Sequence, residues 1–187
     1  MTRCLKPGEV MDSAVAYFDS WPPGERFENL DEVQAMWPLA AGRRVLEIGT
    51  FQGFSAILWA LSGAKWVDAV DWHRGGQGLG ERDTLCECWA NLKRYGAQDT
   101  VRLHVGQSAP LLSLFSHCLW DLVFVDGDHD RALLDTALAV PLVAPGGLMV
   151  WHDYPHWTVP SAVDYVRSDL RWPIKHLTGS LMVGYRP

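Results

Sequence analysis

Five groups of polar residues stand at the ends of apolar runs in this sequence. They are Glu47-Ile-Gly49-Thr50-Phe-Gln-Gly53, Asp71-Trp72-His73, Gly106-Gln107-Ser108, Asp126-Gly-Asp128-His129 and Trp151-His152-Asp153-Tyr154. Carboxylates and imidazoles are the side chains that accept protons and attract positive charge, and histidine's ordinary pKa suits proton transfer near neutrality. The glycine-bearing group resembles a nucleotide turn but lacks the means to hold phosphate. A P-loop needs a Gly-Lys-Ser/Thr tail, and Gly53 is followed by Phe54. A dinucleotide turn needs glycine at its second position so that a pyrophosphate can approach, and Phe51 stands there.

Groups scattered over a hundred residues can act together only if the fold brings them to one edge. The runs that precede them, 44–49, 66–71, 101–106, 121–127 and 147–153, are aliphatic or β-branched on both faces. That is the pattern of parallel strands covered on both sides by helices. Helical stretches fall between them, so the chain is expected to be an α/β protein with a doubly wound sheet, whose ligands lie beyond the carboxyl ends of the strands. Residues 9–20 and 26–41 have helical periodicity and form an expected N-terminal cap over 1–42, ahead of a single globular unit at 43–187. A further helix is expected at 159–170, and 174–186 reads as a hairpin around Thr178-Gly179-Ser180, adding an antiparallel edge. The glycine-dense stretch 74–82 reads as a mobile loop.

Composition narrows the partners. A formal charge of −6, with no run of Lys and Arg, argues against a phosphate-tracking nucleic-acid surface and makes small molecules the expected ligands. Cys4, Cys86, Cys88 and Cys118 have no metal-knuckle spacing and are expected to be reduced thiols. No apolar run has spanning length and none has signal-peptide character, so the expectation is a cytoplasmic protein with no membrane partner. The ten tryptophans are expected mainly to fill core and pocket walls, with a stacking platform for an aromatic ligand as the sharper alternative.

Glu47 beside the glycines points to a cationic or amino-bearing guest, and Asp71, about twenty residues on, is placed to accept from both hydroxyls of a ribose. A ribose joined to a positive centre describes S-adenosylmethionine. VLEIGTFQGFSA in turn resembles the first motif of the class I S-adenosylmethionine-dependent methyltransferases. FVDGDH and GGLMVWHDY resemble the fourth- and fifth-strand motifs of a subgroup of metal-assisted small-molecule O-methyltransferases, which includes catechol and macrolide- or aminocoumarin-sugar enzymes. The resemblance covers roughly 43–187. It implies a Rossmann-like, mostly parallel seven-stranded sheet with an antiparallel C-terminal hairpin strand, and O-methylation of a small-molecule hydroxyl.

Carried over by residue, the resemblance places Glu47, Gly49, Thr50 and Gly53 at the methionine moiety and Asp71 at the ribose. Trp72, Gln107 and Ser108 fall at the adenine, and Asp126 completes the cofactor set. It assigns Asp126, His152 and Asp153 to a divalent cation, Mg²⁺ or Mn²⁺, although a histidine departs from the usual oxygen ligand and would favour a softer ion such as Mn²⁺ or Zn²⁺. The base is one of Asp128, His129 and His152, the last in a metal-free site. Trp151, Tyr154, His156 and Trp157, with the 74–82 loop, either line the acceptor pocket or pack the C-terminal helix on the sheet. The other readings are a binding module that keeps the nucleotide pocket without transfer, a methyltransferase of macromolecules, and, weakest, a nicotinamide oxidoreductase. Strands at the C-terminal edge can pair across subunits, which leaves a homodimer open.

Overall fold

The computed structural model describes residues 7–27, 29–75, 82–156 and 158–187. At its centre is one sheet of β1 (Arg44–Ile48), β2 (Trp66–Asp71), β3 (Val101–Val105), β4 (Trp120–Val125), β5 (Val143–Trp151), β6 (Ile174–Thr178) and β7 (Leu181–Tyr185), in the order β3-β2-β1-β4-β5-β7-β6. The first five strands are parallel, and β7 lies antiparallel between β5 and β6. The chain steps outward from β1 through β2 to β3, then returns to the other side of β1 at β4. That reversal opens a crevice between the ends of β1 and β4.

Alternation along each strand builds a core on both faces. Val45, Leu122, Phe124, Leu148, Val150 and Val183 face one way, toward α1 (Pro7–Asp19), α2 (Leu30–Met36), α3 (Phe54–Leu61) and α4 (Leu85–Arg94). Leu46, Ile48, Val123, Val125, Met149 and Trp151 face the other way, toward α5 (Ser108–Leu114), α6 (Ala132–Ala139) and α7 (Val159–Asp164). Each large side chain so buried contributes about 1.5–3 kcal/mol. Trp21, Trp37, Trp59, Trp120, Trp151 and Trp172 are buried, which is the core-filling role expected of most tryptophans, whereas Trp72 and Trp89 are exposed. Cys88 is buried and Cys86 exposed, two faces of α4. Burial pushes the Cys88 thiol up to about 12, so it is inert.

Three elements differ from expectation. β5 begins at Val143, four residues before the apolar run that marks it, because Pro145-Gly146-Gly147 does not end the strand. Gly146 takes a positive φ, its N–H reaches Arg186 O, and Arg186 N returns to Gly147 O, so the ladder passes through an irregularity. The preceding helix accordingly stops at Ala139, where Pro141 forces a 3₁₀ turn over Val140–Leu142. The helix at 159 continues past Asp164 as a π-helical turn over Tyr165–Asp169. Cys4, Trp157 and residues 76–81 of the glycine-dense stretch lie outside the described residues. Among the described residues no helix is long and apolar enough to cross a membrane.

Candidate active site

The turn after β1 is shaped by its neighbours. Gly49 has φ +93, and a Cβ there would be driven into the backbone carbonyl of Asp126, so only glycine lets the ends of β1 and β4 meet. Asp71, at the end of β2, braces this turn. One carboxylate oxygen accepts from Thr50 N (2.7 Å) and Phe51 N (2.8 Å), the other from His73 N (2.5 Å). Gly53, with φ +92, begins α3 against Cys88.

Beyond the turn a cavity of about 660 Å³ opens at the crevice. Of the residues singled out from sequence, Gly49, Asp71, Trp72, Gln107, Ser108, Asp126, Asp128 and His129 line it. Glu47, Thr50, Gly53, His152 and Asp153 do not. Glu47 shares the face of Val45, which packs against α3, and it is completely buried. Neither of its oxygens has a hydrogen-bond partner. Burial raises its carboxyl well above the usual range; Ser55 works against that, the Asp126 charge adds to it, and Trp59 and Thr50 also oppose it. At the far end of the cavity Ser108 Oγ donates to Asp135 (2.5 Å), a buried acid of α6 that sequence reasoning did not single out. Burial raises the Asp135 carboxyl.

The ends of β4 and β5 gather the ionisable groups. His152 continues the pairing of β5 with β4 through His152 N to Val125 O. Its Nδ1 lies 3.2 Å from Asp126 Oδ1 and 3.2 Å from Asp153 Oδ2. His129 Nε2 lies 2.7 Å from Asp153 Oδ2 and 3.8 Å from Asp126 Oδ1. Asp153 holds φ +60, a conformation uncommon outside glycine that turns its carboxylate back into the cluster. The charges tune one another. Asp126, then Asp153, push the His129 imidazole up to about 9. Burial opposes charge on His152, but Asp126, Asp153 and Glu32 outweigh it and raise His152 well above its ordinary value. Burial would raise Asp153, yet His129 and His152 hold it well below the usual carboxylate range. With no cation bound, these carboxylates favour the imidazolium form of both histidines.

Sequence reasoning missed three neighbours of this cluster. Glu32 of α2 places Oε2 3.3 Å from His152 Nε2, and Ser180 of the β6–β7 turn binds Glu32. The Phe27 ring stacks on His152 at 4.4 Å. The signal for Glu32 was an acid on the inward stripe of α2, beside Val33 and Met36. By contrast Trp151, one reading of which placed it at the acceptor pocket, is in the core and donates Nε1–H to Thr136.

A glycine turn without a phosphate-binding lysine, a cavity-lining acid after β2 and carboxylates after β4 and β5, on this strand order, make up the cleft of a class I methyltransferase. The model of a family described as a methyltransferase domain matches residues 46–154, and the chain belongs to that family. It is 34% identical over 113 residues to a catechol O-methyltransferase of Mycobacterium tuberculosis (strain ATCC 25618 / H37Rv), covering 58% of this chain and 46% of that protein. The chain therefore spans about half the length of that relative. Two solved structures share the fold. Cofactor-bound Rv0187 of M. tuberculosis superposes with a TM-score of 0.71 at 20% identity over 94% of this chain and 88% of its own. An O-methyltransferase of Bacillus cereus in complex with SAH gives 0.69 at 16% identity over 100% and 93%.

Proposed function

We propose that the chain binds S-adenosylmethionine in the crevice and transfers its methyl group to a hydroxyl of a small molecule. The observation that carries this reading is the position of Asp71. It is a carboxylate on the cavity wall at the end of β2, and the same cavity is lined by Asp126, Asp128 and His129 from the end of β4. Ribose hydroxyls at Asp71 and adenine toward Gln107 and Ser108 direct the sulfonium to the Gly49–Asp126 end, where carboxylates favour positive charge. The catechol O-methyltransferase named above supports oxygen as the acceptor atom.

The trio Asp126, His152 and Asp153 fits a divalent cation. Their ligand atoms lie within 4.8 Å of one another, and His152 Nδ1 is buried with no hydrogen-bond partner although two carboxylates are near. Two carboxylates and an imidazole suit Mn²⁺ better than Mg²⁺. A bound cation would lower the pKa of an acceptor hydroxyl and orient it. Binding it requires His152 to release its proton, so cation affinity rises with pH. A cation on Asp126 and Asp153 would take up the charges that raise His129 in the cation-free site, leaving His129 and Asp128, both on the cavity wall, as the groups that can take the acceptor's proton. The protein's further contribution is alignment of acceptor oxygen, methyl carbon and sulfur for in-line displacement.

Titration calorimetry with S-adenosylmethionine and with S-adenosylhomocysteine, followed by radiolabelled methyl transfer to a panel of catechols, phenols and sugars with Mn²⁺ or chelator, tests the reading. Binding of both nucleosides and transfer to a hydroxyl is the expected result. Failure to bind either nucleoside refutes it, and tight binding without transfer on any acceptor shows a binding module instead.

A further inference from the structure

Glu32 is a buried carboxylate that the transfer chemistry above does not use, and everything around it is fitted to it. It leaves α2 on the inward stripe, 4% exposed. Its Oε1 accepts from Ser180 N (2.5 Å) and Ser180 Oγ (2.9 Å), while Oε2 faces His152 Nε2 at 3.3 Å. The β6–β7 turn leaves room for it only because residue 179 is glycine: a Cβ there would be driven into the Glu32 carboxylate, 2.8 Å from its Cδ. Phe27 stacks on the face of the same imidazole, its plane 15° from that of the ring.

We propose that Glu32 is a positioning residue: it accepts the Nε2 hydrogen of His152 and so aims Nδ1 at Asp126 and Asp153. The proposal rests on the reading of those three residues as the cation-binding part of a transfer site, but the orientation of the ring can be measured independently of it. A merely structural role would need Glu32 only as an acceptor for Ser180. Glutamine fills that role equally well through its carbonyl oxygen. What glutamine cannot do is accept from His152 at the same time, since its other terminal atom is an amide donor facing a donor. Glu32→Gln therefore keeps the tie to the turn and removes the contact to the ring. The arrangement is that of a carboxylate orienting a ligating histidine from behind.

The full chain is compared as wild type, Glu32→Gln, Gly179→Ala and Ser180→Ala. Long-range ¹H–¹⁵N spectra of the His152 ring and Mn²⁺ titration followed by electron paramagnetic resonance are the readouts. Affinity for S-adenosylhomocysteine and thermal unfolding are the controls. In Glu32→Gln the slowly exchanging Nε2 proton of His152 disappears and Mn²⁺ affinity falls by about 10–100-fold, while nucleoside affinity stays as in wild type and unfolding stays cooperative, at a midpoint lowered by the buried donor left without an acceptor. Gly179→Ala, which displaces Glu32 from the other side, reproduces the change in the ring, and Ser180→Ala, which takes an acceptor from Asp153 N but leaves the Glu32 carboxylate facing Nε2, retains the Nε2 proton. An unaltered ring spectrum in Glu32→Gln overturns the proposal; if that variant does not fold, the same outcome in Gly179→Ala does. Wild-type protein that takes up no Mn²⁺ removes the cation from the proposed function, and the ring spectrum still decides the role of Glu32.

Discussion

Replacing Asp71 by asparagine separates two jobs that the structure assigns to one side chain. The carboxylate accepts three backbone N–H groups, at 2.7, 2.8 and 2.5 Å, and is only 15% exposed, so solvent screens it little. Asparagine can present its carbonyl oxygen to Thr50 and Phe51, but its amide then faces the N–H of His73. One donor is left without an acceptor and two charge-assisted bonds become neutral ones, a loss of about 2–3 kcal/mol. For a domain of this length each kcal/mol lowers Tm by about 2–4 °C, so scanning calorimetry should show a drop of about 4–12 °C. If the same carboxylate also accepts from the ribose hydroxyls, S-adenosylhomocysteine should bind about 10–100-fold more weakly by titration calorimetry. A fall in Tm with unchanged nucleoside affinity would show that Asp71 is a brace for the glycine turn and no more. No change in either quantity would refute the reasoning altogether.

Three other perturbations have defined outcomes. Gly49→Ala drives a methyl group into the Asp126 carbonyl at φ +93 and should cost at least about 2 kcal/mol, read by urea unfolding; a neutral effect would mean that β1 and β4 are not held as described. His129, raised to about 9, stabilises the fold fully below its ordinary value of 6.5 and loses that contribution as pH rises through about 9. The Tm gap between wild type and His129→Gln in cation-free buffer should thus be widest between about pH 4, below which Asp153 of the unfolded chain takes up protons while the depressed native carboxylate does not, and pH 6.5, and should close by about pH 9. A gap that is flat across this range contradicts the pairing. Trp120→Phe removes a buried donor from Asp68 (2.9 Å) and should destabilise by about 1–3 kcal/mol, checked by the same unfolding assay.

The parallel part of the sheet was legible because its strands are short, mostly apolar runs followed by polar groups, and because Gly49 marks a backbone contact that no other residue permits. The start of β5 was not legible: Pro145-Gly146-Gly147 carries the signals of a break, and the pairings of Val143 with Trp120 and of Gly146 and Gly147 with Arg186 carry the strand through it. The cluster of Asp126, His152 and Asp153 could be read from strand ends, but its electrostatics could not. The protonated state of both histidines follows from distances to carboxylates that separate positions along the chain do not disclose. Glu32 lay furthest from view. Its partners are His152 and Ser180, 120 and 148 residues away, joined to it by the docking of α2 on the β6–β7 turn. Asp135 was hidden in the same way, since its contact with Ser108 depends on α5 and α6 packing side by side.

The most direct test is a crystal structure of the chain with S-adenosylhomocysteine. The nucleoside should lie in the crevice, with both ribose hydroxyls within hydrogen-bonding distance of Asp71, adenine beside Gln107 and Ser108, and sulfur directed toward Asp126. A nucleoside found elsewhere, or one whose ribose makes no contact with Asp71, would contradict the account.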